Sequence, residues 1–263
     1  MTATIIKASN LHKSFGSVTP ARDITVNIAE RSIIGLIGTN GAGKTTFVNM
    51  LTGYIKPDSG EIVFRDKTIT GMEPRKITRM GIARSFQIPQ LFASQTAREN
   101  VEIALAIAGK PASKADESLD RLGIREFADL ETGTLPEGVR KLLDIALALV
   151  CEPEVLLLDE PTSGVAAEEK FDVMNRVMDA ARQMGITVLF VEHDMEIVRN
   201  YSHRVLAFFD GTILADGTPD HVLADPKVRQ LIIGEDVAAV PHAAHPADHP
   251  EHAARASLGA SHA

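Results

Sequence analysis

The run Gly38-Thr39-Asn40-Gly41-Ala42-Gly43-Lys44-Thr45 combines closely spaced glycines with a lysine and a hydroxyl. Glycines at these positions let successive backbone N–H groups turn inward onto phosphate oxygens. Lys44 adds a charge that reaches β- and γ-phosphates, and the Thr45 hydroxyl is an oxygen ligand for Mg²⁺. Much later, Asp159 and Glu160 close the apolar run Val155-Leu156-Leu157-Leu158. One carboxylate there suits a metal ion and the other an attacking water, so the two acids read as the second half of a Mg-ATP site. Glu192-His193-Asp194 follows a further apolar run, Thr187–Val191. That makes His193 a candidate catalytic imidazole if its strand ends where the others do.

These residues meet only if short strands deliver them to one edge. The sequence predicts strands at Thr4–Ala8, Ile24–Ile28, Ile33–Ile37, Glu61–Phe64, Val155–Leu158, Thr187–Val191, Val205–Phe209 and Thr212–Ala215. Strands alternating with helical patterns imply an α/β fold with a mainly parallel sheet. The strand Ile33–Ile37 leads into the glycine run, which opens a helix over Lys44–Leu51 with Gly53 at its end. That strand–loop–helix context is what a phosphate loop requires. Asp210-Gly211 reads as a tight hairpin turn, and Pro57-Asp58-Ser59-Gly60 as a loop before a strand. Between Phe171 and Met184 the apolar residues recur at three- and four-residue steps, a buried helical stripe. The stretch from about Gln87 to Val150 is helical and is broken by Gly109-Lys110-Pro111. It reads as a helical subdomain inserted between two halves of an α/β core.

Composition narrows the class. With 263 residues, 44% of them hydrophobic, the chain can bury a full core. A net charge of −8 argues against general nucleic-acid binding, which needs a concentrated basic face. Cys151 is the only cysteine, which rules out an internal disulfide and suits a reducing compartment. No apolar run approaches the roughly 20 residues needed to cross a bilayer, and Met1–Ser9 lacks the apolar stretch of a signal peptide. A cytosolic chain is therefore expected, with any membrane role exercised through a partner. The segment 237–263 is rich in Ala, His and Pro and is expected to be a disordered tail rather than a metal site.

Taken in order, the phosphate loop, Ser85-Phe86-Gln87, Leu135–Lys141, Leu158-Asp159-Glu160-Pro161 and Val191-Glu192-His193-Asp194-Met195 resemble the ATP-binding-cassette (ABC) superfamily over about Ile5 to Gly234. Ala83–Gln87, Val191–Met195 and the ending Asp216–Pro219 with Leu231–Gly234 resemble more narrowly the ATPases of branched-chain amino acid importers. The resemblance implies a P-loop NTPase with a RecA-like core, an N-terminal antiparallel β-subdomain and a helical subdomain at about 87–150, one cassette over 1–236. It implies that Phe15 stacks on adenine and that Gly38, Asn40, Gly41, Ala42, Gly43, Lys44, Thr45 and Thr46 hold ATP. Mg²⁺ would take Thr45, Gln87 and Asp159, and catalysis would fall to Glu160, His193 and Gln87. Leu135, Pro136, Glu137 and Gly138 form the signature segment, offered to the ATP of a second cassette in a head-to-tail dimer. Ile88–Val101 would line the groove for two transmembrane permease subunits, with a substrate-binding protein acting indirectly. The location implied is peripheral, on the cytoplasmic face of the inner membrane.

The chain departs from the family pattern in the signature segment. Only Leu135 and Gly138 match its usual five-residue core, Glu137 stands where a small or aromatic residue is usual, and Val139, Leu142 and Leu147 replace polar residues. Ala166 stands where Asp or Asn is usual. A carboxylate at Glu137 would oppose the phosphates of a partner's nucleotide, which favours pairing with a paralogous ATPase over self-pairing. An exporter motor of the lipopolysaccharide-export type and a soluble cassette ATPase are the alternative functions.

Overall fold

A computed structural model describes residues 3–234 of the chain. In order, its strands are β1 (Thr4–Phe15), β2 (Val18–Ala29), β3 (Ile33–Gly38), β4 (Ser59–Phe64), β5 (Lys67–Thr68), β6 (Ile82–Ser85), β7 (Val155–Asp159), β8 (Thr187–Val191), β9 (Arg204–Phe209) and β10 (Thr212–Gly217). The longer helices are α1 (Lys44–Leu51), α2 (Pro74–Met80), α3 (Ala97–Ile107), α4 (Ala115–Arg121), α5 (Glu137–Leu149), α6 (Lys170–Met184), α7 (Met195–Tyr201) and α8 (Pro219–Ala224). One sheet is antiparallel, in the order β2-β1-β4-β5, and the other runs β10-β9-β3-β8-β7-β6. Within the second sheet β9, β3, β8, β7 and β6 are parallel, and only β10 is antiparallel.

Side chains alternate across a strand, so a strand covered on both faces is apolar throughout. In β7, Leu156 and Leu158 face one core while Val155 and Leu157 face the other. β8 divides in the same way, Val188 and Phe190 against Leu189 and Val191. One core holds the antiparallel sheet and α1; the other holds α3 to α8. That double burial is why these short runs lack the polar alternation of a half-exposed strand.

Several boundaries differ from the sequence expectation. β1 and β2 run to Phe15 and back from Val18, far beyond Ala8 and Ile24, because register shifts carry the pairing past the polar residues Asn10, His12 and Lys13. Asn10 adopts φ 51 and bonds Asp23 and Thr25, which absorbs one of these irregularities. β5 and β6 lie outside the expected strands. β6 contains Arg84 and Ser85, polar residues that read as loop, yet Ser85 is buried and Arg84 nearly so. The hairpin at Asp210-Gly211 forms as expected, both residues having positive φ (45 and 75) as a type I′ turn demands. In α6, Met174, Val177, Met178 and Ala181 are buried, while Phe171 and Met184 pack at the margin.

Between Gln87 and Val150 the chain is helical, and Leu105, Leu119 and Leu142 join the same core as Leu156 and Phe190. α3 starts on a capping box formed by Thr96 and Glu99. Asn100, fully buried, holds both the N–H and the carbonyl of Phe92 and bonds the Thr132 hydroxyl. α5 buries Leu142, Leu143, Ile145 and Leu149, each worth about 1.5–3 kcal/mol. It also buries Lys141 and Asp144, which needs polar partners to be tolerated. The expected tail at 237–263 lies outside the described residues.

Candidate active site

Parallel strands end on one edge, and the register aligns those ends: Leu36 pairs Val191, Val191 pairs Asp159, and Leu158 pairs Ser85. Ligands of open α/β sheets bind at such an edge. β3 passes into the glycine run and α1. Gly43, at φ 106, caps α1, and a Cβ there would lie 2.1 Å from the Pro20 carbonyl oxygen. Gly38 is crowded in the same way, by the Phe208 carbonyl at 2.4 Å. Backbone packing therefore demands glycine at both positions, apart from any phosphate. Lys44 donates to the carbonyls of Gly38 (2.6 Å) and Thr39 (3.1 Å). Burial draws its pKa below the ordinary lysine value, against the opposing charges of Glu160 and Asp159. The first turn of α1 leaves its N–H groups without intrahelical acceptors, at the positive end of the helix dipole.

Glu160 follows β7 with φ 50, a left-handed conformation held by its N–H to Val191 and its carbonyl to Ser163 and Lys141. Its carboxylate is gripped on both oxygens. Gln87 Nε2 donates to Oε2 at 2.8 Å, and His193 Nε2 lies 3.2 Å from Oε1. Glu192, buried beneath them, accepts from Thr162 N and Oγ1 and from His193 N. It ties the loop after β8 to the loop after Glu160. From α5, Lys141 donates to the carbonyls of Gln87 and Glu160. Asp144 accepts from the N–H groups of Phe86 and Gln90, each at 3.0 Å. Burial pushes the Asp144 carboxyl above the usual carboxylate range, against those two amides and the Lys141 charge. Asp159 is buried and ion-paired with Arg84 at 2.6 Å.

A cavity of about 480 Å³ gathers Asn40, Gly41, Ala42, Gly43, Lys44, Thr45, Thr46, Gln87, Glu160 and His193. Gly38 and Asp159 are not part of its lining. Phe15 is 51% exposed and pairs across the hairpin with Val18, which does line the cavity. The signature segment is not on this cavity. Gly138 packs toward Val165 and Val173, and a Cβ at Gly164 would lie 3.4 Å from Glu137 Cγ. Glu137 is bonded to Arg140. A second cavity, about 670 Å³, shares Glu160 and His193 and continues past Thr162, Ser163 and Gly164.

The donors expected for Mg²⁺ are oxygens, as a hard cation requires. Gln87 commits its amide nitrogen to Glu160 and keeps its oxygen, and Asp159 commits Oδ2 to Arg84 and keeps Oδ1. Among the described residues no three His, Cys, Asp or Glu side chains gather into a self-sufficient metal site. An ion here would complete its shell with phosphate oxygens and water.

Arg84, Lys141, Asp144 and Glu192 escaped the sequence reading as site residues. A usable signal existed for Asp144, a carboxylate set inside the apolar run from Leu142 to Leu149, since a buried charge requires partners. Beside Gln87, a groove of about 260 Å³ is lined by Tyr54, Arg84, Phe86, Gln90, Leu147 and Cys151. Of the expected groove stretch Ile88–Val101 it takes only Gln90, because α3 turns its apolar face into the core. Ile88 and Phe92 are 74% and 56% exposed next to it.

Comparison with known proteins is consistent with this geometry. A family model described as "ABC transporter" matches residues 21–163. The chain is 33% identical over 254 residues to the high-affinity branched-chain amino acid transport ATP-binding protein LivG of Salmonella typhimurium, covering 89% of this chain and 100% of the relative. It is 33% identical over 255 residues to the probable LivG of Methanocaldococcus jannaschii, covering 89% and 99%. The crystal structure of the ADP conformation of MJ1267, an ATP-binding cassette of an ABC transporter, superposes with a TM-score of 0.82 at 33% identity, covering 89% of this chain and 100% of that one.

Proposed function

Because this chain belongs to the ABC transporter family, we propose that it is the ATP-hydrolysing subunit of an importer for branched-chain amino acids or a related small polar solute. The observation that carries the catalytic part is the Glu160 carboxylate, fixed by Gln87 and His193 on the wall of the cavity that holds Lys44. The solute class follows from the names of the relatives. An exporter motor and a soluble cassette ATPase find no support in those names.

In this reading the loop from Gly38 to Thr46 and the Lys44 ammonium hold the triphosphate, and Phe15 stacks on the adenine. Thr45, Gln87 and Asp159 would hold Mg²⁺, which neutralises charge on the β- and γ-phosphates when bound. Glu160 takes the proton of the attacking water, with Gln87 and His193 keeping its oxygens aimed. Leu135, Pro136, Glu137 and Gly138 do not line the cavity of this chain's own phosphate loop and are proposed to serve the nucleotide of a second cassette. The cassette occupies 1–236, with the helical subdomain at about 87–150.

The chain docks on two transmembrane permeases at the cytoplasmic face of the membrane, supplied by a substrate-binding protein. Among the described residues no helix is long and apolar enough to cross a membrane. Its dimer partner is proposed to be a paralogous ATPase. Ala166 and Glu137 support that pairing, although the Arg140 bond offsets part of the Glu137 charge.

The test is uptake of labelled leucine into vesicles holding the assembled transporter. ATP-dependent uptake lost in Glu160→Gln supports the assignment. Robust ATP hydrolysis with no response to any branched-chain amino acid would remove the solute class and leave the ATPase.

A further inference from the structure

Behind the catalytic cavity, β6 carries a cation that none of these roles uses. The Arg84 side chain is 8% exposed and that of Asp159 is 9% exposed. Arg84 Nη2 donates to Asp159 Oδ2, and Nη1 donates to Asn49 Oδ1 on α1. Its guanidinium lies 5.0 Å from the Phe86 ring centroid and 5.9 Å from that of Tyr54. Both rings wall the groove beside Gln87. One buried nitrogen, Nε, has no partner. Burying an arginine is costly, and a buried ion pair often stabilises a fold less than well-packed apolar residues would. A purely structural role is therefore a weak reason for an arginine here.

We propose that Arg84 is a positioning residue for Asp159, setting how that carboxylate meets the metal and tying it to the groove wall. The proposal rests on Asp159 being a metal ligand, as assigned above. By holding Oδ2, Arg84 fixes the rotamer and leaves Oδ1 for Mg²⁺. By neutralising the carboxylate, it would keep the protein's own hold on a metal ion weak. The same guanidinium touches β7 through Asp159, the helix after the phosphate loop through Asn49, and the groove through two aromatic rings.

The opposing effects of charge and position give the test. In the full chain with a non-hydrolysable ATP analogue, Mn²⁺ binding is titrated by electron paramagnetic resonance. Arg84→Gln removes the ion-pair partner of Asp159, so the Mn²⁺ Kd should fall at least threefold. ATP turnover by the assembled transporter should meanwhile fall at least tenfold. Arg84→Lys, which keeps charge but loses the fork to Asn49, should hold Kd near the parent value and still lose turnover at least fivefold. A folded Arg84→Gln protein whose Mn²⁺ Kd is unchanged or raised overturns the proposal. If Arg84→Gln fails to fold by thermal unfolding, the lysine variant decides, and unchanged turnover in it overturns the proposal. Asp159→Asn is the separate control: unaltered Mn²⁺ binding there removes Asp159 from the metal site, whatever Arg84 does.

Discussion

His193 Nε2 lies 3.2 Å from Glu160 Oε1 across the ends of adjacent parallel strands. The imidazole holds the carboxylate proposed to receive the water's proton, so on that reading both residues should matter to turnover and neither to nucleotide binding. Glu160→Gln is expected to keep ATP binding and lose about 10²–10⁴ in rate. Lys44→Ala should behave in the opposite sense, weakening binding by about 1.5–3 kcal/mol, roughly 10- to 150-fold. Calorimetric ATP titration and phosphate release from the assembled transporter separate the two, and normal turnover in Glu160→Gln removes it as the base.

Asp144 gives a pH-dependent expectation. It accepts one amide on each oxygen, so Asp144→Asn turns a nitrogen toward an N–H donor and should cost about 1–3 kcal/mol at neutral pH. Burial raises its native pKa, so the folded chain holds this proton more tightly than the unfolded one. Its contribution to stability then increases as pH falls through the interval from the raised native value to the ordinary carboxylate value. Urea unfolding should show the gap between parent and Asp144→Asn widening from pH 7 toward the acid side. A gap that narrows would contradict this.

Ile88 and Phe92 offer apolar surface on a backbone that is held in place, since Asn100 bonds both backbone groups of Phe92. Exposed apolar side chains beside a catalytic loop suit a partner surface. Ile88→Asp and Phe92→Asp should release the subunit from membranes with Tm changed by little, surface substitutions costing within about 0.5 kcal/mol. Cys151, exposed and on the groove, serves as a reporter. Maleimide labelling of Cys151 should be protected in the assembled transporter and restored in these variants. Loss of folding instead would make the patch part of the core.

Paralogue pairing predicts unequal sites. A bare carboxylate about 6 Å from phosphate, at an effective dielectric near 20, opposes each unit of charge by about 3 kcal/mol. The Glu137–Arg140 bond offsets part of that, so Arg140→Ala should slow turnover and the added Glu137→Gln should restore it. Glu160→Gln in this chain should cost more activity than the matching change in the partner. Equal losses would leave no asymmetry to explain.

How legible the molecule is from sequence depends on burial. β3, β7 and β8 are covered on both faces and appear as unbroken apolar runs. The α1 start follows from Lys44 after the glycines. β6 stayed hidden because Arg84 and Ser85 look solvent-bound, and the partners that let Arg84 be buried, Asp159 and Asn49, are distant in sequence. The extended β1–β2 ribbon was hidden for a different reason. Its bulges at Asn10 and beyond break the two-residue alternation that marks a strand. Phosphate-loop and acid-pair residues stand out in the sequence because their proposed chemistry dictates their types, and the fold brings Lys44 and Glu160 to one cavity. Lys141 and Glu192 act by fixing backbone groups, a task that imposes no local pattern.

The left-handed backbone at Glu160 places the site under selection in a way the fold alone would oppose. A non-glycine residue there costs on the order of 1–3 kcal/mol, and Asn or Gly would sit more comfortably. Selection for stability alone would therefore drift toward an inert cassette, and only the need for turnover keeps a glutamate in place. Directed evolution of this chain for thermal tolerance, without an activity screen, should accumulate changes at position 160 early. The hardiest survivors would be those that no longer work.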